Sequence, residues 1–474
     1  MDTDAFSIVT NVNDAGDGSF RQAILDNNAE TMPGTVTFDP LLNGSEVELF
    51  GTIDISNSLT VDFDSDGDGV GDISLFSGLN TPLFTFNTDL VTLTLDGGDI
   101  VYDTDEEALG GFPFSVFSVD AEDVTIENSS DIIASGIDTI EGELSGDPLT
   151  VFNVTADDFT LTNAVGSTIS TTGRFAVQSL NFNELISATI INDGTLRAAD
   201  DAIRLASGTV TNSGLIEATG AFAFSPNSGP GVSSDGISAF TFVDADAAGF
   251  PVPEGALLIT NTDTGVIDGF RSGVFLSVGG RIDNDGLITG GAAAILTQGD
   301  GIDGNGSENF TLNNSGTLSN LGTEIGGTGS GVRLPTVDIG PNLADIVINN
   351  DGTIEGPGLA IRSLPGVDLN NVSGGQILSD SDDVGDDGIA FQGAVLEDFQ
   401  IQERTVLFDG NDVGLEFESS QGIILDFPPT GAQGNFPFFQ LADVTLIAPG
   451  GAIQFFTVAI ADVILLPLVD IAAS

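Results

Sequence analysis

Polar and apolar positions alternate along this chain in short runs and hold a helical period only once. "SEVELFGTIDISNSLTVDFD", "LVTLTLDGGDIVYD" and "DVTIENSSDIIASG" each offer β-branched and aliphatic residues broken by Gly, Asn or Asp. Such runs predict short strands separated by turns. From Asn163 the pattern becomes a repeat of Asn, a short gap, Gly, a short gap, then Ile or Leu. It stands as "NAVGSTI" at Asn163, "NDGTL" at Asn192, "NSGLI" at Asn212 and "NTDTGVI" at Asn261. It returns as "NDGLI" at Asn284, "NSGTL" at Asn314, "NDGTI" at Asn350 and "NVSGGQI" at Asn371. A second apolar element follows most units, for example "AIRL" around Arg204 and "GVFL" after Ser272.

A strand-rich unit recurring every ~20–50 residues predicts a solenoid. With no helical pattern between the strands, the predicted fold is an all-β parallel β-helix. Its coils stack about 4.8 Å apart. In each unit the Asn is expected in the turn, tolerating left-handed geometry and hydrogen-bonding the Asn above and below. The Gly is expected to supply a positive φ, and the Ile or Leu to point inward. The long step from Gly214 to Gly265 is read as holding two coils.

The one helical signal is "GDGSFRQAILDNNA". Ser19 and Gln22 form a capping box. Phe20, Ala23 and Ile24 make an apolar stripe, and Asn27 or Asn28 stops the helix. A helix laid over the first coil would protect its unpaired edge. At the other end the repeat stops near Phe391. The expected organisation is therefore a strand and capping helix over 1–34, coils over 35–395 and a distinct β-rich segment over 396–474. In that segment Phe455, Phe456, Val458, Ile460, Val463, Ile464, Leu465 and Leu466 are a candidate assembly interface. It would add to a neighbour's strand edge, and a head-to-tail contact that does not close yields a filament. Asp462, Pro467 and Asp470 interrupt the apolar run, so no membrane span is expected.

Composition narrows the chemistry. The chain has 474 residues, 71 of them acidic against nine basic, a formal charge of −62. All nine basic residues are Arg, and His, Cys and Trp are absent. Nucleic acid is a poor partner for such a chain. Zinc sites of the usual kind and Ser-His-Asp triads lack their residues. General acid–base work is left to carboxylates, Arg and Tyr102. An enzyme is not expected. The Asp200–Asp201 pair is the remaining candidate for polysaccharide hydrolysis. Sparing use of sulfur and of nitrogen-rich side chains points to an abundant exported protein, although "MDTDAFSIVTNVND" reads as no signal peptide.

The densest acidic stretch is "VDFDSDGDGVGD", with Asp62, Asp64, Asp66, Asp68 and Asp72. Alternating aspartates closed by Gly are the first half of a calcium loop. Position twelve lacks its acidic residue in either register, being Leu75 or Ile73. Calcium is the expected cofactor, and a solvated acidic turn the alternative. Asp300, Asp303 and Asn305, and Asp382 and Asp386, are weaker cation candidates. Arg204, Arg333 and Arg362 share one slot of the repeat and predict an arginine face. It would pair with Glu217 and Glu355, or dock an acidic neighbour.

The opening "VTNVNDAGDGSFRQAILDNNA…GTVTFDP" resembles the first segment of exported bacterial β-helix proteins. The "NSGTL" and "NDGTI" units resemble the passenger regions of autotransporter-type adhesins. The resemblance rests on repeat style over some four fifths of the chain, and no outer-membrane barrel is recognisable. It implies an extracellular or cell-surface bacterial protein. The expected function is structural, in a surface layer or matrix, self-associating and stabilised by calcium. The alternatives are an adhesin module that binds carbohydrate or a host surface, and a polysaccharide-degrading enzyme.

Overall fold

A computed structural model describes residues 5–220 and 257–297 apart from short gaps, chiefly 105–114, 137–148 and 180–186. It also describes 234–239, 310–320, 330–333, 346–356 and, beyond them, the strands named below. The chain divides into two compact units, Met1–Ser238 and Ala239–Ser474. Each is a parallel β-helix, as the repeat predicts.

In the first unit every full coil contributes three strands, one to each of three parallel sheets. One coil runs Asp158–Asn163 in the first sheet, Thr168–Thr171 in the second and Phe175–Ser179 in the third. The first sheet grows from Ala5–Val9 through Gly34–Phe38 and Leu59–Asp62 to Gly208–Asn212. Residue-for-residue register places Asp158 on Asp123 and Ser187 on Asp158. Alternation decides which side chains face inward. In Asp158–Asn163, Phe159, Leu161 and Asn163 are buried while Thr160 and Thr162 face outward, half-buried. The third-sheet strands are buried more continuously, as in Phe175, Ala176 and Val177. Phe84, Phe117 and Phe152 stack on successive coils at centroid distances of 5.2 and 4.7 Å.

The second unit repeats the plan. Leu257–Asn261, Gly280–Asn284, Phe310–Asn314, Ile346–Asn350 and Val367–Asn371 pair in its first sheet. Ser272–Leu276, Ala293–Thr297, Ser330–Arg333, Ile361–Ser363 and Ile389–Phe391 pair in its third. In its second sheet Gln376–Ser379 is followed by Leu415–Glu418, Val444–Ile447 and Asp470–Ala472. Parallel pairing therefore continues through part of the 396–474 segment. Between Leu215–Ala218 and Leu257–Asn261 the described residues include one strand, Asp235–Ala239. Two full coils in that step, as the spacing suggested, are not present among the described residues.

The repeat's Asn and Gly have jobs that differ in part from the expected ones. Each Asn ends a first-sheet strand, and the side chains from Asn163 to Asn350 point inward and are buried. In the first unit Asn128, Asn163 and Asn192 each donate from Nδ2 to the next Asn Oδ1, at 3.0, 2.9 and 2.8 Å. In the second, Asn261, Asn284 and Asn314 do the same at 2.8, 2.8 and 2.7 Å. The amide also reaches a turn carbonyl, as Asn192 Nδ2 does to Gly194 at 3.3 Å. The ladder is as expected, but no described Asn adopts a positive φ. Of the described unit glycines only Gly166 has one, at 87°. At Gly194, Gly214, Gly286, Gly316 and Gly352 the constraint is instead space. A Cβ there would run into a turn carbonyl of the coil beneath. Glycine is used because the turns stack backbone on backbone.

The helix forms where expected, over Phe20–Asn28. Phe20, Ala23, Ile24 and Asn27 are its buried face, and the Phe20 ring stacks on Phe38 at 5.9 Å. Ser19 caps it by accepting from the Gln22 N–H at 3.2 Å. The reciprocal half of the capping box is not made: the Ser19 N–H donates to the Gly16 carbonyl at 3.0 Å, and Gln22 turns its Nε2 to Asp26 at 2.7 Å. Among the described residues no helix is long and apolar enough to cross a membrane.

Candidate functional site

Two carboxylate groups of the first unit stand out, one on the surface and one in the wall of the coil. The surface group is the aspartate loop. Phe63 continues the inward alternation of Leu59–Asp62 and is fully buried. The Asp72 N–H donates to the Phe63 carbonyl at 2.9 Å, which closes the neck of the excursion between them. Gly67 and Gly69 take φ of 78° and 85°, a region open to glycine without strain. That curl aims three N–H groups at one side chain. Asp64 accepts from Gly67 at 2.7 Å, Gly69 at 2.7 Å and Asp68 at 3.2 Å. The Gly69 bond, reinforced by those from Gly67 and Asp68, holds the Asp64 carboxyl below its ordinary range.

The other carboxylates are also oriented. Asp72 accepts from the Ser65 N–H at 3.1 Å and from its hydroxyl at 2.8 Å. Asp66 accepts from Asn43 Nδ2 at 3.0 Å. One oxygen each of Asp64, Asp66 and Asp72 lies within 4.8 Å of the others. Ligands on opposite sides of a calcium ion, each about 2.4 Å from it, are about 4.8 Å apart. The donor set is therefore the right type and span for one hard cation. Of the five aspartates expected to act together, the loop gathers three. Asp68 is turned to its own Val70 N–H at 2.9 Å. Asp62 lies in register with Asp96 on the next strand. Burial, aided by the charges of Asp96 and Asp64, pushes its carboxyl up.

The wall group gathers Asp200, Asp201, Asp235, Arg174 and Arg204. Asp200 and Asp201 form the corner between the second-sheet strand Thr195–Ala198 and the third-sheet strand Ile203–Leu205. Asp235 opens the neighbouring third-sheet strand. All three carboxylates have 0% exposure and Arg204 has 9%. Arg174 Nε donates to Asp200 Oδ2 at 3.0 Å. The Asp235 N–H donates to Asp201 Oδ1 at 3.0 Å. Both guanidinium groups also sit on the Phe175 ring, at 5.1 and 5.2 Å from its centroid. Asp200 Oδ1 and Asp201 Oδ2 find no hydrogen-bond partner. Burial, then the Asp235 and Asp200 charges, pushes the Asp201 carboxyl up to about 8. Asp200 is raised by burial against the pull of Arg174. Burial also lowers Arg204, with the carboxylates opposing.

The sequence singled out Asp200, Asp201 and Arg204 but not Asp235 or Arg174. Asp235 carries no motif, and only the coil register brings it beside Asp201. Arg204 lies in this buried cluster, and Glu217 is bound instead by Arg197, at 2.7 Å from its Nε. In the second unit Arg333 and Arg362 are in register on adjacent third-sheet strands. Asp300, Asp303, Asn305, Asp382 and Asp386 lie outside the described residues. So do Val458, Ile460 and Leu466, together with the side chains of Phe455, Phe456, Val463, Ile464 and Leu465. The backbones of Ala452–Phe456 and Val463–Leu465 pair in parallel with Gly422–Asp426 and Phe439–Leu441. No family model, curated protein or solved structure matches this chain.

Proposed function

We propose that the protein is an extracellular structural β-helix of a bacterial surface or matrix, self-associating and stabilised by calcium bound at the Asp64 loop. The observation that carries this reading is the convergence of Asp64, Asp66 and Asp72 on an exposed excursion of a chain of charge −62. A divalent ion there offsets local repulsion and ties the excursion to the Asn43 turn through Asp66. It also lowers the repulsion between copies that self-association must overcome. The repeat spends its most regular residues on the buried Asn ladders, which serve stacking. The Asp200–Asp201 pair needed by a hydrolase is buried, which favours the structural reading over the enzymatic one. The test is negative-stain imaging and thermal melting in millimolar calcium and in chelator. Filaments and a higher Tm with calcium are expected. Single particles in both conditions would remove self-association, and an unchanged Tm would remove calcium.

A second reading, an adhesin module, draws on the outer face of the first sheet. Thr92, Thr125, Thr160, Thr189 and Thr209 stand in register on successive coils of the first unit. Two positions along, Thr94, Glu127, Thr162, Ile191 and Thr211 form a second column. This is a repeating array of hydroxyl and methyl groups with little charge, suited to a repeating neutral polymer. Retention on a polysaccharide panel, lost in a Thr125→Lys/Thr160→Lys variant, is the expected result. Equal retention by both proteins counts against it.

A further inference from the structure

We propose that the two threonine columns on the outer face of the first sheet are an ice-binding surface. The first column, Thr92 to Thr209, keeps residue-for-residue register over five strands. The second reaches two strands further, because Thr35 stands on Thr60 and Thr60 on Thr94. Only Glu127 and Ile191 interrupt it before Thr211. Strand propensity alone would favour threonine on every outer face. The other faces do not have it. In the second sheet one outer column reads Phe76, Val101, Ile133, Ser170, Arg197 and Glu217. In the second unit the slot three residues before each ladder Asn holds Leu258, Arg281, Thr311, Val347 and Asp368. A bias confined to one face of one unit points to what that face meets.

The face is an ordered array. Coils stack about 4.8 Å apart, and residues i and i+2 lie about 6.6 Å apart along a strand. The two columns therefore form a rectangular net. The oxygens on a prism face of ice repeat on a net of similar dimensions. Threonine suits such a face. Its branched side chain is restricted at χ1, and the threonines of both columns are half-buried. Hydroxyls and methyls are thus held at the coil spacing before any ligand arrives. Among the described residues of the two columns, only the Thr94 hydroxyl bonds to protein, donating to Glu127 at 3.1 Å. The other hydroxyls are left for water.

Charge and hydration decide between occupants. Asp123 and Asp158 border the columns on one side, and Asp62 and Asp96 on the other. A second copy laid face to face, at the usual sheet spacing of about 10 Å, would set these acidic borders against their like. Ice carries no charge and leaves them hydrated. A neutral polysaccharide, the ligand of the adhesin reading, would trade its bonds to water for bonds to these hydroxyls, with little net gain for each. Only Phe6, beyond Thr35 at the end of the second column, offers a ring for a sugar to stack on. Ice needs no such exchange, because the ligand is water.

Slow freezing of a dilute solution of the full chain is the test, with crystal shape followed under the microscope. The wild type is expected to enter the ice and to facet its crystals. Thr125→Lys/Thr160→Lys, shown to be folded by circular dichroism, should stay in the liquid. The same change on the second sheet, Thr168→Lys/Thr195→Lys, where the two residues are in register, should behave as the wild type. Glu127→Thr fills the break in the second column and should widen the interval between melting and freezing, a gain that no folding defect can mimic. A wild type left wholly in the liquid would overturn the proposal, as would equal entry into ice by Thr125→Lys/Thr160→Lys. Retention on a neutral polysaccharide that this variant loses, with no entry into ice, would also overturn it and leave the face to the adhesin reading.

Discussion

The Asp64 loop and the Asp200–Asp235 cluster use the same side chain to opposite ends. In the loop, two glycines at positive φ curl the backbone so that its N–H groups converge on Asp64. Solvent reaches the loop, and its carboxyl is held down. In the wall, the backbone is committed to coil-to-coil bonds and sends one N–H to Asp201. Water is excluded and the carboxyl is pushed up to about 8. Burial is the largest difference: it raises Asp201, and the Asp235 and Asp200 charges add to it, whereas Asp64 is lowered by the backbone donors that residues leaving the coil can spare.

The largest way to break the contrast is to remove a cation from the wall. Arg204→Met would remove the buried guanidinium whose charge acts on Asp201, Asp200 and Asp235. Removing one partner of a buried ionic group typically costs about 3–5 kcal/mol. A loss of that order is expected in urea unfolding at pH 7. It should shrink toward pH 4, where protons substitute for the missing guanidinium. A loss independent of pH would mean that Arg204 matters through its packing on Phe175 and not through its charge.

A smaller effect tests the loop. With calcium at a hundredfold excess over Kd, binding to the folded state alone adds about 2.7 kcal/mol. Asp66→Asn/Asp72→Asn should abolish that increment and leave the stability in chelator nearly unchanged. The wall variant Asp201→Asn should keep the increment in full. If calcium stabilises the Asp66→Asn/Asp72→Asn protein equally, the ion binds elsewhere.

The sequence made the solenoid legible because each coil must satisfy the same constraints at the same depth. From Asn128 onward the Asn that ends each first-sheet strand has to meet another Asn, so it recurs. The loop was legible for a related reason, since alternate aspartates and glycines lie within one turn. The cluster was not. Asp201 and Asp235 are 34 positions apart, and nothing local marks them as neighbours. The glycines show a subtler gap. "NDG" suggested left-handed turns, but a short motif cannot reveal a carbonyl of the coil beneath. Gly194→Ala separates the two accounts: at its ordinary φ alanine is locally allowed, yet its Cβ meets the Ser167 and Ala164 carbonyls. Loss of stability there, with Gly44→Ala costing only local strain in open space, would support stacking as the reason for glycine.

The smallest effect lies at the acid end. Asp64 has its carboxyl lowered in the folded state by the Gly69, Gly67 and Asp68 N–H groups. Its contribution is therefore complete above the unfolded value of 3.8 and is lost as pH falls through the lower folded value. That is the reverse of Asp201, whose proton favours the folded state on the acid side of neutrality. Asp64→Asn should thus cost little, but the cost should be visible at pH 5 and fade by pH 2. Hydrogen exchange at the Gly67 and Gly69 amides is the sensitive readout, because only those bonds are at stake. Faster exchange there at pH 5, with the Asn192 and Asn212 coils unchanged, would show that the loop opens by itself. Acceleration spreading into those coils would mean that the loop supports the wall as well as holding its own shape.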